Sequence, residues 1–254
     1  MLGMNKTRFA YLLILCSLLT LGSCKKENLC DCFKSTGSDI REDRDASAFT
    51  EIQLEGKIDL VLTQDTLEKI QVLGGRHLIS NIETSISGGR LYIRNHNTCN
   101  FVRSYDRQMT VYVSVHHLKT LFYNGAGDVS GTNTLKDSVI GVESMDGSGH
   151  VNLNLMTTVA FATIHTGPAT ITLSGSAILT YLYSGGNGVI HMDQLPCKQI
   201  YATQRGTGDF YIRSTADSSS YLDVLLSNSG DVYCAGKPAK LKTDRSGTGQ
   251  LYVN

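Results

Sequence analysis

The C-terminal half of the chain carries one short pattern seven times, small-x-small-x-apolar-x-apolar. Its copies are Gly125-Ala126-Gly127-Asp128-Val129, Gly147-Ser148-Gly149-His150-Val151, Gly167-Pro168-Ala169-Thr170-Ile171, Gly186-Asn187-Gly188-Val189-Ile190, Gly206-Thr207-Gly208-Asp209-Phe210, Asn228-Ser229-Gly230-Asp231-Val232 and Gly247-Thr248-Gly249-Gln250-Leu251. Measured at the second small residue (127, 149, 169, 188, 208, 230, 249), the steps are 22, 20, 19, 20, 22 and 19 residues. A unit near 20 residues cannot bury its own apolar face, so such units must stack on one another. With a glycine turn in nearly every one, the pattern predicts coils of β-strand.

Parity within each unit says which side faces in. The residues two and four after the second small position are Val129/Gly131, Val151/Leu153, Ile171/Leu173, Ile190/Met192, Phe210/Ile212, Val232/Cys234 and Leu251/Val253. Strand side chains alternate faces, so these columns share the interior. The residue between them, Ser130, Asn152, Thr172, His191, Tyr211, Tyr233 and Tyr252, then forms an outer column. A second strand per unit carries Ile200/Ala202, Leu222/Val224 and Leu241/Thr243 as further inward pairs. The expected fold is all-β, a parallel β-helix or solenoid of about seven regular units over residues 124–254. Residues 49–123 alternate in the same way, but their glycines (56, 89, 127) are more widely spaced. They form a less regular β section or a separate lobe, and Arg94 to Gln108, polar and weakly patterned, is its best loop.

The N-terminus addresses the chain. Lys6 and Arg8 precede an apolar run, Phe9 to Leu21, too short to span a bilayer and fitting the core of a signal peptide. It ends in Leu21-Gly22-Ser23-Cys24, which resembles the bacterial lipobox. Residues 1–23 are thus expected to be a lipoprotein signal peptide and Cys24 the lipidated residue. Acyl chains there would bring ~0.8 kcal/mol of membrane affinity per buried CH₂. Lys25 and Lys26 stand where an inner-membrane retention signal of the enteric type would have Asp, which favours the outer membrane of a Gram-negative bacterium. Residues 24–48, charged and without apolar period, read as a flexible tether.

Loss of residues 1–23 removes Lys6 and Arg8 from the 23 basic residues and none of the 23 acidic ones. The slight negative charge that remains argues against nucleic acid, which calls for a clustered basic surface. Outside the export segment the cysteines are Cys30, Cys32, Cys99, Cys197 and Cys234, an odd count that leaves at least one thiol unpaired within the chain. Cys30-Asp31-Cys32 is not a CxxC pair, and a disulfide from it to Cys99 is a better expectation than zinc, with the pairing open. Asp128, Asp209 and Asp231 follow corner glycines, but other units have His, Thr, Val or Gln there, so turn capping explains them better than calcium. His77, His96, His116, His117, His150, His165 and His191 show neither helical spacing nor an HExxH context. No metal or cofactor is expected.

No nucleophile elbow, P-loop or dinucleotide glycine fingerprint is present, and the outer column lacks the clustered carboxylates of a solenoid lyase or glycosidase. Tyr211, Tyr233 and Tyr252 are the candidate binding face. Three phenol rings one strand apart suit a glycan or a surface protein, although stacked tyrosines also stabilise neighbouring strands without any ligand.

The opening Phe49-Thr50-Glu51-Ile52-Gln53-Leu54-Glu55-Gly56-Lys57-Ile58-Asp59-Leu60-Val61-Leu62-Thr63-Gln64, then Gly88-Gly89-Arg90-Leu91-Tyr92-Ile93 and the G-x-G-D-[VF] corners, resemble the bacterial family described as putative auto-transporter adhesin, head GIN domain. The resemblance runs from about residue 49 to the end. It implies a β-helical fold at the cell envelope and an adhesin-like role, and it brings no catalytic residues. The expected function is a non-enzymatic, membrane-anchored scaffold that binds polysaccharide or protein. The alternatives are a polysaccharide-processing enzyme on the same scaffold and a purely structural or signalling envelope protein.

Overall fold

A computed structural model of the chain describes residues 36–97 and 109–254. Cys24, Cys30, Cys32 and Cys99 lie outside the described residues, as does residue range 98–108 of the expected loop. Residues 94 and 95 of that loop belong instead to a strand. The fold is a β-solenoid of about seven regular coils with a less regular N-terminal section.

Each regular coil places one strand in either of two stacks, with the small-residue corner between them. The first stack contains β9 (Val129–Gly131), the start of β11 (His150–Ile164), β12 (Thr170–Ser176), β14 (Val189–Cys197), β16 (Phe210–Ser214), β18 (Val232–Ala235) and β20 (Leu251–Val253). The second contains β8 (Thr120–Gly125), β10 (Leu135–Ser144), the end of β11, β13 (Leu179–Ser184), β15 (Gln199–Gln204), β17 (Tyr221–Leu226) and β19 (Lys240–Arg245). Within a stack each strand pairs in parallel with the next coil's copy, as Ile190↔Phe210↔Val232 and Ala202↔Val224 show. The inward columns form one continuous core, with Ile190, Phe210 and Val232 all fully buried.

The N-terminal section adds coils to the same two stacks, out of sequence order. Strand β2 (Glu51–Gly56) lies between β6 (Arg90–Asn95) and β8, and β3 (Asp59–Gln64) lies between β7 (Thr110–Val115) and β9. The first coil in sequence is therefore second in the stack, inserted between two segments that follow it. Its far end is closed by antiparallel strands, β4 (Lys69–Gly75) and β1 (Asp39–Arg44) on the first stack and β5 (Ile82–Ser87) on the second. A 3-10 turn, Ile79–Asn81, lies between β4 and β5.

Two expectations need correction. The tether assigned to residues 24–48 contains strand β1, whose backbone pairs with β4 from Asp39↔Gly75 to Arg44↔Ile70. Its charged, mostly exposed side chains suit an edge strand and hide it from an apolar-period reading. The inward pair Leu241/Thr243 is exposed along with all of β19, and Val253 in the last inward column is 37% exposed. An inward position is buried only if a further coil covers it, and β19 and β20 are the last strands of their stacks.

The corner glycines are required by close approach. A Cβ on Gly208 would lie 1.8 Å from the Gly188 carbonyl oxygen in the coil before it. Beneath the corners, buried side chains take up backbone groups the turn leaves unpaired. The Tyr123 hydroxyl donates to Gly127 O (2.7 Å) and accepts from Gly149 N (2.8 Å), while Gln204 accepts from Gly206 N and donates to Gly208 O. Burial pushes the Tyr123 phenol up to about 12.

Candidate binding faces

The outer column of the first stack is a ladder of rings. Parallel register sets His191 beside Tyr211, Tyr211 beside Tyr233, and Tyr233 beside Tyr252. The ring centroids are 4.7, 5.0 and 5.0 Å apart, with interplanar angles of 8°, 9° and 9°. Tyr211, Tyr233 and Tyr252 thus lie on one face, each one coil from the next. Their ring faces cover one another, which leaves edges and hydroxyls to solvent, except that Tyr252 ends the ladder and is 40% exposed. The Tyr233 hydroxyl donates to Asp231 (3.3 Å). Partial burial, then the carboxylates of Asp231 and Asp209, hold that phenol above its ordinary range.

The opposite face has aromatic residues that the outer-column reading missed. Tyr181 and Tyr201 stack at 5.3 Å and 19°, and Tyr221 meets Tyr201 edge-on at 5.7 Å. The signal was the period itself, since residues 181, 201 and 221 are one unit apart, but it falls on the second strand of each unit, where only inward pairs were read. Beside Tyr201 a shallow groove of about 250 Å³ is lined by Thr203, Asp223, Leu225, Lys242 and Asp244. Asp223 is engaged there by the Tyr221 hydroxyl (3.1 Å) and the Lys242 ammonium (3.1 Å).

Towards the N-terminal end this face becomes ionic. Arg90 pairs with Glu51 (2.8 Å) and covers the Phe122 ring, and Arg94 joins Glu55 (3.1 Å) to Glu83 (3.3 Å). Glu83 also meets His96 (2.7 Å), and that bond, ahead of those from Ser85 and the Arg94 charge, holds the carboxyl below its usual range.

The corner aspartates serve the backbone of the following coil. Asp128 accepts from His150 N (3.0 Å), Asp209 from Asp231 N (2.8 Å), and Asp231 from Gln250 N (2.7 Å). Several histidines meet a carboxylate of a neighbouring coil, among them His117 with Asp137 and His165 with Glu143. Among the described residues no group of three or more His, Cys, Asp or Glu side chains is placed to hold a metal ion. Cys197 and Cys234 are buried free thiols, and burial pushes the Cys197 thiol up to about 12. No helix among the described residues is long and apolar enough to cross a membrane.

The profile of the bacterial family described as putative auto-transporter adhesin, head GIN domain, matches residues 48–238. The fold is shared with a crystal structure of a putative adhesin from Bacteroides fragilis, 20% identical, at a TM-score of 0.78 over 85% of this chain and 97% of that one. It is also shared with a putative lipid binding protein from Parabacteroides distasonis, 15% identical, at a TM-score of 0.65 over 87% of this chain and 98% of that one. A putative adhesin from the same organism is 16% identical, with a TM-score of 0.61 over 86% of this chain and 98% of that one. No curated protein matches the sequence.

Proposed function

The chain belongs to the putative auto-transporter adhesin, head GIN domain family, and from that premise we propose that it is a non-enzymatic binding protein of the cell envelope. It meets polysaccharide or protein through the outer face of the solenoid. Lipid on Cys24 holds it to the membrane, the outer membrane by the Lys25-Lys26 criterion. The observation that carries the binding role is the ladder Tyr211, Tyr233 and Tyr252, backed by His191. Rings fixed on a sheet lose little further freedom when a ligand settles on them. Because the inner rings cover one another, contact is made by their edges and hydroxyls, and the outer ring face of Tyr252 is free for a sugar to stack on.

That same mutual stacking favours a second reading, in which the ladder only stabilises the coils at ~0.5–1.5 kcal/mol per pair. Glycan-array binding of the full chain separates the two. The triple variant Tyr211→Ser, Tyr233→Ser, Tyr252→Ser should lose most of the signal, whereas Tyr181→Ser with Tyr201→Ser on the other face should retain it. A triple variant that binds as the wild type does, with only a lowered unfolding midpoint, assigns the ladder to stability. For the anchor, Cys24→Ala should move the protein out of the membrane fraction.

A further inference from the structure

The two ends of the solenoid are finished differently. Antiparallel strands close the N-terminal end. At the other end the last strands, β19 and β20, run parallel to their neighbours. Like β1 and β5 they are paired on one side only, but here an inward-column leucine, Leu241, is left 51% exposed. We propose that this end docks a second copy of the same chain, β19 pairing antiparallel with its own twofold mate. The inference does not rest on the ligand-binding role of the ladder, but a second copy on this end would compete with any ligand on the free ring face of Tyr252.

Backbone direction restricts the register. Lys240 N donates to Ser220 O and Ser246 N to Leu226 O, so the even-numbered residues of β19 bond β17. In a parallel ladder alternate residues direct their N–H and C=O to opposite sides. Leu241, Thr243 and Arg245 therefore present both backbone groups to the open edge. An antiparallel mate must set edge-directed residues opposite edge-directed residues, which puts the twofold axis on a residue and never between two.

Charge then selects the residue. An axis at Leu241 sets Lys240 against Lys242, an axis at Lys242 sets that ammonium against itself, and an axis at Asp244 does the same with a carboxylate. An axis nearer either end of the strand leaves much of it unpaired. Only an axis at Thr243 sets Lys242 against Asp244 of the second copy, twice, with no like charges opposed. It also lays the aliphatic stem of Arg245 on the exposed Leu241. Edge lysines ordinarily discourage strand addition. Here they repel the competing registers and complement this one.

Sedimentation velocity of the full chain over a concentration series tests the proposal, and a dimer growing with concentration is expected. Lys242→Asp and Asp244→Lys each oppose like charges in a homodimer, so each should sediment as a monomer. An equimolar mixture should regain the dimer, because each variant supplies the charge the other has reversed. Lys242 also bonds Asp223, so thermal unfolding must show that both variants remain folded. Thr243→Pro provides a second route: it removes an edge-directed N–H and should abolish the dimer while leaving the fold intact. A wild type that is monomeric throughout overturns the proposal and leaves this end to another occupant. A dimer that survives both charge variants, or a mixture that stays monomeric, overturns the pairing.

Discussion

Around β2, β6 and β8 the outward positions are held by unlike partners, Arg90 with Glu51, Arg94 with Glu55, and Arg90 over Phe122. Around β14, β16, β18 and β20 the equivalent outward positions of the other stack carry one kind of partner, ring upon ring from His191 to Tyr252. The interiors of the two regions are alike: Ile52, Leu54 and Leu60 are as fully buried as Ile190, Phe210 and Val232. The difference follows from who sits beside whom. In the regular coils the neighbour is the same position of the next repeat. Where the residue type changes, as at Asp223 beside Lys242, unlike partners meet; where the repeat keeps one type, as from Tyr211 to Tyr252, a side chain meets its own kind. Aromatic rings gain from that arrangement, and like charges lose. In the N-terminal section the neighbours come from segments far apart in sequence, as the separation of 39 positions between Arg90 and Glu51 shows. Opposite charges can be matched there one pair at a time.

The largest expected effect tests the shared interior. Phe210→Asp would place a carboxylate in a fully buried column between Ile190 and Val232. An unpaired buried charge costs several kcal/mol, and coils that depend on their neighbours should unfold together. Loss of the cooperative transition in urea is expected, and a wild-type midpoint would refute the inward assignment.

The second effect separates the two kinds of glycine. Gly208→Ala forces a Cβ to 1.8 Å from a carbonyl oxygen of the preceding coil, so the stack must open, at ~3 kcal/mol or more. Gly88, in the hairpin between β5 and β6, has φ 59° and nothing within 4 Å of the added atom. Gly88→Ala should cost only the ~1–2 kcal/mol of a left-handed residue. Equal urea midpoints for the two variants would mean that corner stacking is not the constraint.

The smallest effect concerns the corner where the N-terminal section meets the repeats. Tyr123→Phe leaves Gly149 N and Gly127 O without the hydroxyl they share, a loss of ~1–3 kcal/mol. The phenol titrates near 10 when unfolded and about 12 when folded. Its contribution is therefore complete below pH 10 and is lost as pH rises towards 12, by at most ~1.4 kcal/mol per unit. Urea midpoints from pH 8 to 11.5 should fall less steeply for Tyr123→Phe than for the wild type. Parallel slopes would show that the buried hydroxyl is not the titrating group.

Much of this could be read from local pattern. Alternation assigned Phe210 and Ile212 to the interior and Tyr211 to the outside, and the corner spacing set how Tyr211, Tyr233 and Tyr252 line up, because strand parity and a fixed repeat do not depend on the rest of the chain. Three features needed the assembled molecule. Any strand that alternates as β2 and β3 do fits any layer of such a stack, so their insertion between β6–β7 and β8–β9 rests on long-range register alone. The fate of Leu241 depended on whether a further coil covers it, which parity does not encode. The tyrosine ladder showed the same division: its positions followed from the period, but the planes of its rings, turned against one another rather than towards solvent, came from packing between coils.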